Sequence, residues 1–256
     1  MEQKERGNVL EQYSDSLREA DAVILVEGTG GSEATLRLYE RRGEYEQGAG
    51  AARQESGAER ESGAWRQSGA EPCGTGQESG ARQEGDGWRE LFSQRAFVGR
   101  CGIGAVHSEG DCVTPRGVYR FLFAFGTEEN PGARLEYRQI TPYSYYVDDV
   151  RSVWYNKWVE ADAAERKGDA PPWLARVPHV PRSVFGSAEH LCEIVPQYCY
   201  GAALNQNEDC VPNKGSAIFL HCTGEKPYTA GCVAVPRETM AALLRRMTAR
   251  TRMVIL

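Results

Sequence analysis

"IFLHCTGEKPYTAGCVAVP" (residues 218–236) consists of two apolar runs joined by a polar turn. Side chains along a strand alternate between two faces. In 216–222, Phe219 and His221 therefore point one way, and Ile218, Leu220 and Cys222 the other. Past the turn, Val233 and Val235 are the natural core-facing pair, which turns Cys232 and Ala234 to the opposite side. The alternation predicts strands whose shared groove receives both His221 and Cys232 and excludes Cys222. Neighbours on a regular strand face opposite sides, so His221 and Cys222 do not ligate one metal together.

Strand signals continue outward from this stretch. "AVILVEG" (22–28) and "EATLRLYERR" (33–42), joined by Gly28-Thr29-Gly30-Gly31, read as a β-hairpin. Order resumes at 88–100, and "GVYRFLFAFG" (117–126) reads as a strand with Tyr119, Phe121, Phe123 and Phe125 along one core face. Residues 144–149 and 197–206 read as further strands, and 150–186 as irregular. Ser187 opens a short helix in "SAEHLCEI", which makes His190 a helix-surface residue. In "RETMAALLRRM" (237–247), Met240, Leu243, Leu244 and Met247 recur at helical spacing behind Pro236. The expected fold is mainly β, sandwich or barrel-like, with a few short helices and a C-terminal amphipathic helix. Residues 1–20 read as a loosely attached tail or helix, and 21–256 as one domain.

From about 44 to 87 the composition collapses into "QESGA", "RESGA" and "RQSGA" repeats, which carry almost no apolar side chains. Such a segment buries too little to offset its ordering entropy and reads as a disordered insert between two strands, with Cys73 a bystander. The repeats start six residues apart at 54, 60 and 66, too short a period for a solenoid unit. Net charge of −6 and a pI near 5.4 argue against a nucleic-acid surface. No run suits a membrane span, and the N-terminus lacks the apolar core of a signal peptide. The eight cysteines form no C-x-x-C pair, which removes support for a zinc ribbon or a thioredoxin motif; Cys101 and Cys112 flank a segment short enough to bridge in an oxidising compartment.

Three readings of His221 and Cys232 follow: buried core residues, half of a zinc site, or a nucleophile beside its base. A free thiol of pKa about 8.5 is mostly protonated at neutral pH, and an imidazole that takes its proton gives a pre-formed thiolate. Gly231 lets a substrate carbonyl approach the backbone, and the amides of Gly231 and Cys232 are candidate oxyanion donors.

The Glu109-Gly110-Asp111…Thr114-Pro115…Gly117…Tyr119 pattern, the strand ending in His221 and the Thr229-Ala230-Gly231-Cys232 signature resemble the L,D-transpeptidase (YkuD-type) catalytic domain. The likeness spans roughly 21–256 outside the repeats. The chain departs from that family at Ala230, where a second histidine is usual, and at Ala234, where Arg or Asn is common. The resemblance implies Cys232 as nucleophile, His221 as general base and the Cys222 carbonyl as its orienting partner. Thr229, Ala230, Tyr198, His190 and Arg237 are the candidate substrate contacts. It further implies peptidoglycan stem peptides as substrate, covalent inhibition by carbapenems, an extracytoplasmic cell-wall location and no metal or organic cofactor. The "EGD…TP" segment is expected to be structural. An L,D-carboxypeptidase and a non-catalytic wall-binding module are the competing functions.

Overall fold

The computed structural model describes residues 9–42, 87–104, 108–163 and 171–256. The repeat segment, apart from Gly87, lies outside the described residues. The chain begins with strands β1 (Ala22–Gly30) and β2 (Glu33–Arg41), followed by β3 (Trp88–Phe97), β4 (Ile103–Gly104) and β5 (Thr114–Pro115). Next come β6 (Gly117–Gly126), β7 (Tyr137–Gln139), β8 (Ser144–Val147), β9 (Trp158–Ala161), β10 (His179–Val180) and β11 (Ala188–His190). β12 (Gly201–Leu204), β13 (Phe219–Cys222), β14 (Val233–Val235), a helix at Arg237–Leu244 and β15 (Arg252–Ile255) complete the order.

The expected hairpin forms: β1 and β2 pair antiparallel, with Gly30 and Gly31 at positive φ in the turn. Strands then follow the order β12-β13-β14-β3-β2-β1-β15-β6, and β12 also pairs with β6, which closes the ring into a barrel-like sheet. Every ring strand contributes to one apolar cluster, including Ile24, Leu36, Ala96, Leu220, Val233 and Met253. Met240, Leu243, Leu244 and Met247 from the C-terminal helix and its end join that cluster, so the helix forms part of the main core. Alternating burial of this kind is how a mainly β chain earns its stability, at roughly 25 cal/mol per Å² of apolar surface removed from water.

A second layer forms on the other face of β6, β12 and β13. The small sheet β10-β9-β8-β11 packs there, with Tyr146 and Trp158 against Phe123, Phe125, Phe219 and Tyr198. Phe219 meets Phe125 at 5.1 Å and Tyr146 at 4.9 Å, both edge-to-face, the geometry the ring quadrupoles favour.

Five expectations change. The aromatic stripe of β6 splits, Phe121 facing the ring cluster and Phe123 and Phe125 the second layer, because the β12–β6 register shifts between Ala203 and Leu204. The helix expected at 187 is strand β11 followed by a tight turn at Leu191–Glu193, since pairing with β8 satisfies the backbone there. The irregular stretch contains β9 and β10, and the strand expected over 197–206 is confined to β12. Finally, residues 9–20 are not loose. Leu10 and Leu17 cover Val23, Leu25 and Val254, and the Arg41 guanidinium donates to the Leu17 and Ala20 carbonyls at 2.6 and 2.8 Å.

Candidate active site

β13 and β14 run parallel, with Leu220 opposite Val233 and His221 opposite Ala234. Cys232 therefore sits one residue ahead of β14, level with Phe219. Its side chain belongs to the second layer, while Cys222, Val233 and Val235 face the ring cluster, as the period-two argument requires. The Cys232 sulfur accepts from the Phe219 amide at 3.3 Å and donates to the Ala217 carbonyl at 3.1 Å. His221 projects from the same face of β13 as Phe219, its ring edge-on to Tyr198 at 5.4 Å. Its Nδ1 lies 2.7 Å from the Cys222 carbonyl. In the neutral ring that bond places the proton on Nδ1 and leaves the Nε2 lone pair as the basic site.

The loop that presents Cys232 is tightly built. Gly231 has φ of 155°, and a Cβ there would lie 3.1 Å from Ile218 Cδ1 and 3.2 Å from the Val113 carbonyl, so only glycine fits. The Thr229 hydroxyl donates to the Cys232 carbonyl at 2.6 Å and accepts the Gly231 amide at 3.1 Å. That amide, one of the two expected oxyanion donors, is thus already engaged. Thr114 of the "TP" motif adds a second clasp: its hydroxyl donates to the same carbonyl at 3.3 Å and accepts the Gly99 amide at 2.7 Å. Thr114→Val keeps the shape but strands the buried Gly99 donor. The expected loss of stability is about 1–3 kcal/mol, read as a lower denaturant midpoint at unchanged slope.

The approach to β13 is anchored from the other half of the motif. Glu109 accepts from Ser216 at 2.9 Å and also from the Tyr155 hydroxyl. Ala217 adopts a left-handed conformation, φ 53°, with its amide held by Asn156 Oδ1 at 3.1 Å. This turn aims the Ala217 carbonyl at the sulfur. The "EGD…TP" residues therefore act as scaffold on both sides of Cys232.

Burial dominates the electrostatics. It pushes the Cys232 thiol well above its ordinary value, and the nearby Glu189 carboxylate adds to the rise. It lowers His221 to about 4, against a smaller opposing effect of the Cys222 carbonyl. Both shifts favour a neutral thiol and a neutral imidazole over the expected pre-formed thiolate. Glu189, raised to about 7 chiefly by burial, accepts from the Tyr198 hydroxyl at 2.6 Å.

The other sequence candidates scatter. Tyr198 is buried and beside His221; Thr229 is spent on the loop; Ala230 is exposed. Cys222 keeps its carbonyl on His221, while its thiol, raised to about 12 by burial, faces the ring. Arg237 pairs with Glu128 at 2.5 Å over the Tyr200 ring, which packs on the ring cluster rather than the second layer. His190 bonds the Pro142 carbonyl at 2.8 Å and neighbours Glu189 on β11, so the two project to opposite faces. Asn156 and Ala217 escaped the sequence reading, because their bond joins positions 61 residues apart. Among the described residues, no group of three or more His, Cys, Asp or Glu side chains suits a metal, and no helix is long and apolar enough to cross a membrane. A cleft of about 210 Å³ shares Phe123, Tyr146, Trp158 and Val177 with the layer that holds Cys232.

No curated protein and no solved structure matches the chain. A family profile described as the L,D-transpeptidase catalytic domain (YkuD) matches residues 82–255, well over half of the sequence. The match takes in the Thr114 clasp, the His221 strand and the Cys232 loop, and leaves β1 and β2 ahead of it. With a mainly β architecture and these elements in sequence order, the chain belongs to the L,D-transpeptidase catalytic domain family.

Proposed function

We propose that this chain is a cysteine-dependent L,D-transpeptidase that acts on peptidoglycan stem peptides outside the cytoplasm. The observation that carries the reading is the placement of Cys232, one residue ahead of β14, on the same face as His221 of the neighbouring β13, with His221 Nδ1 tied to the Cys222 carbonyl. Nε2 of His221 takes the Cys232 proton as the sulfur attacks the carbonyl that follows the L-centre of the third stem residue. His221 returns the proton to the departing D-alanine, leaving a thioester on Cys232. The side-chain amine of a second stem attacks that thioester, forms the 3→3 amide and frees the thiol. The Cys232 amide is the remaining candidate donor to the oxyanion in both tetrahedral intermediates, and such donors are typically worth about 3 kcal/mol each.

The Cys232 thiol donates to the Ala217 carbonyl, so a side-chain rotation toward His221 precedes attack. Tyr198, edge-on to His221, and Glu189, which accepts from its hydroxyl, supply polar groups beside the imidazole. Incubation with a carbapenem followed by intact mass and peptide mapping tests the acyl chemistry, with a single adduct on Cys232 expected. An unmodified chain would favour the wall-binding module. Purified stem peptides then separate outcomes: crosslinked dimers support transpeptidation, whereas tripeptide alone marks a carboxypeptidase.

A further inference from the structure

We propose that Cys192, His190 and Glu193 form a second thiol site, separate from Cys232, which exchanges with small disulfides. The site stands apart from whatever Cys232 does. The Cys192 sulfur lies 3.2 Å from His190 Nε2, and His190 Nδ1 lies 2.9 Å from Glu193 Oε1. The imidazole stacks on Tyr145 at 4.3 Å with planes 5° apart, which fixes its tilt. Nε2 also faces the Pro142 carbonyl at 2.8 Å.

Both ring nitrogens thus meet oxygen acceptors. A neutral imidazole donates from one nitrogen only, so the full set of bonds forms when the ring carries two protons. An imidazolium within hydrogen-bond reach of a sulfur favours the thiolate. Burial and then the Glu193 charge push the Cys192 thiol up, and a bond to its own backbone opposes them. Cys192 is partly buried at a tight turn, whereas Cys199, Cys222 and Cys232 are buried.

The exchange balances without an outside oxidant beyond the disulfide itself. The Cys192 thiolate attacks one sulfur of the reagent and a new S–S bond forms as the old one breaks. The departing thiolate takes the proton from His190. Cys192 is oxidised, and the leaving sulfur is reduced.

The test uses the full chain with a limiting amount of dithiobis(nitrobenzoate) near neutral pH, followed by peptide mapping. Cys101, which is exposed, serves as the internal reference. Cys192 is expected to react roughly tenfold faster than Cys101, and His190→Gln to remove that excess. The Cys192-to-Cys101 ratio in the unmodified sequence is expected to shrink as pH rises toward the ordinary thiol pKa of about 8.5. This second measurement decides the matter even where His190→Gln fails to fold. Equal labelling of the two cysteines, a ratio flat with pH, or an undiminished excess in a folded His190→Gln protein overturns the proposal.

Discussion

Cys232→Ser is expected to lower transpeptidation by roughly 10⁴-fold or more, the scale on which losing a nucleophile acts. The substitution is close to isosteric. A serine hydroxyl can keep the bonds to the Ala217 carbonyl and the Phe219 amide, so the fold and its melting temperature should hold. What changes is the reacting atom, because an alcohol in this apolar layer is a far poorer nucleophile than a thiol whose proton is being removed. The carbapenem adduct should vanish with the activity. A folded Cys232→Ser protein that still acquires the adduct, or still makes crosslinked dimer, would place the chemistry on another residue. Because Cys192 is mapped separately in the same experiments, its labelling is not confused with acylation of Cys232.

The second large effect belongs to His221. Replacement by Gln should cost about 10² to 10⁴ in rate, the usual worth of a positioned proton acceptor. Glutamine keeps a polar group near the Cys222 carbonyl but offers no base. There is a stability signature too. His221 titrates near 4 in the folded chain, below its unfolded value, so the native state resists the proton that the unfolded chain accepts. Its contribution is present above an unfolded pKa of about 6.5 and is lost as pH falls toward 4, an effect of about 3 kcal/mol. His221→Gln should therefore flatten the acid limb of a stability-versus-pH curve measured by denaturant titration. An unchanged acid limb would mean that the imidazole is hydrated in the native state, and a folded variant with undiminished kcat would remove it from the mechanism.

Much of this was readable from the chain. Alternation alone assigned faces to Phe219, His221, Cys222, Cys232 and Val233, because a half-buried strand leaves each side chain two choices and chemistry selects one. The spacing of Met240, Leu243 and Leu244 gave the helix. The failures are of three physical kinds. Register shifts are invisible to periodicity, which is why the stripe from Phe121 to Phe125 split between layers. Short segments such as 188–190 take their conformation from the partner they pair with, so a helical reading of "SAEHLCEI" lost to the β8 edge. Protonation depends on depth: sequence places an imidazole near a thiol but does not report how little water reaches either. Contacts such as Asn156 to Ala217, or Thr114 to Cys232, need the closed tertiary structure before they exist at all.

The ladder between β2 and β3 pairs Arg41 with Trp88, so the repeat-bearing excursion leaves and re-enters the sheet at directly opposed residues. The entropy of closing such a ladder grows only logarithmically with the number of intervening residues. The kinetics of assembly are another matter. A pairing that a short hairpin would make locally becomes a long-separation contact, which raises the contact order of the barrel and slows the search for its closed form. Growth or loss of repeats in such a position retunes how fast the protein folds while the residues paired across β2 and β3 stay the same.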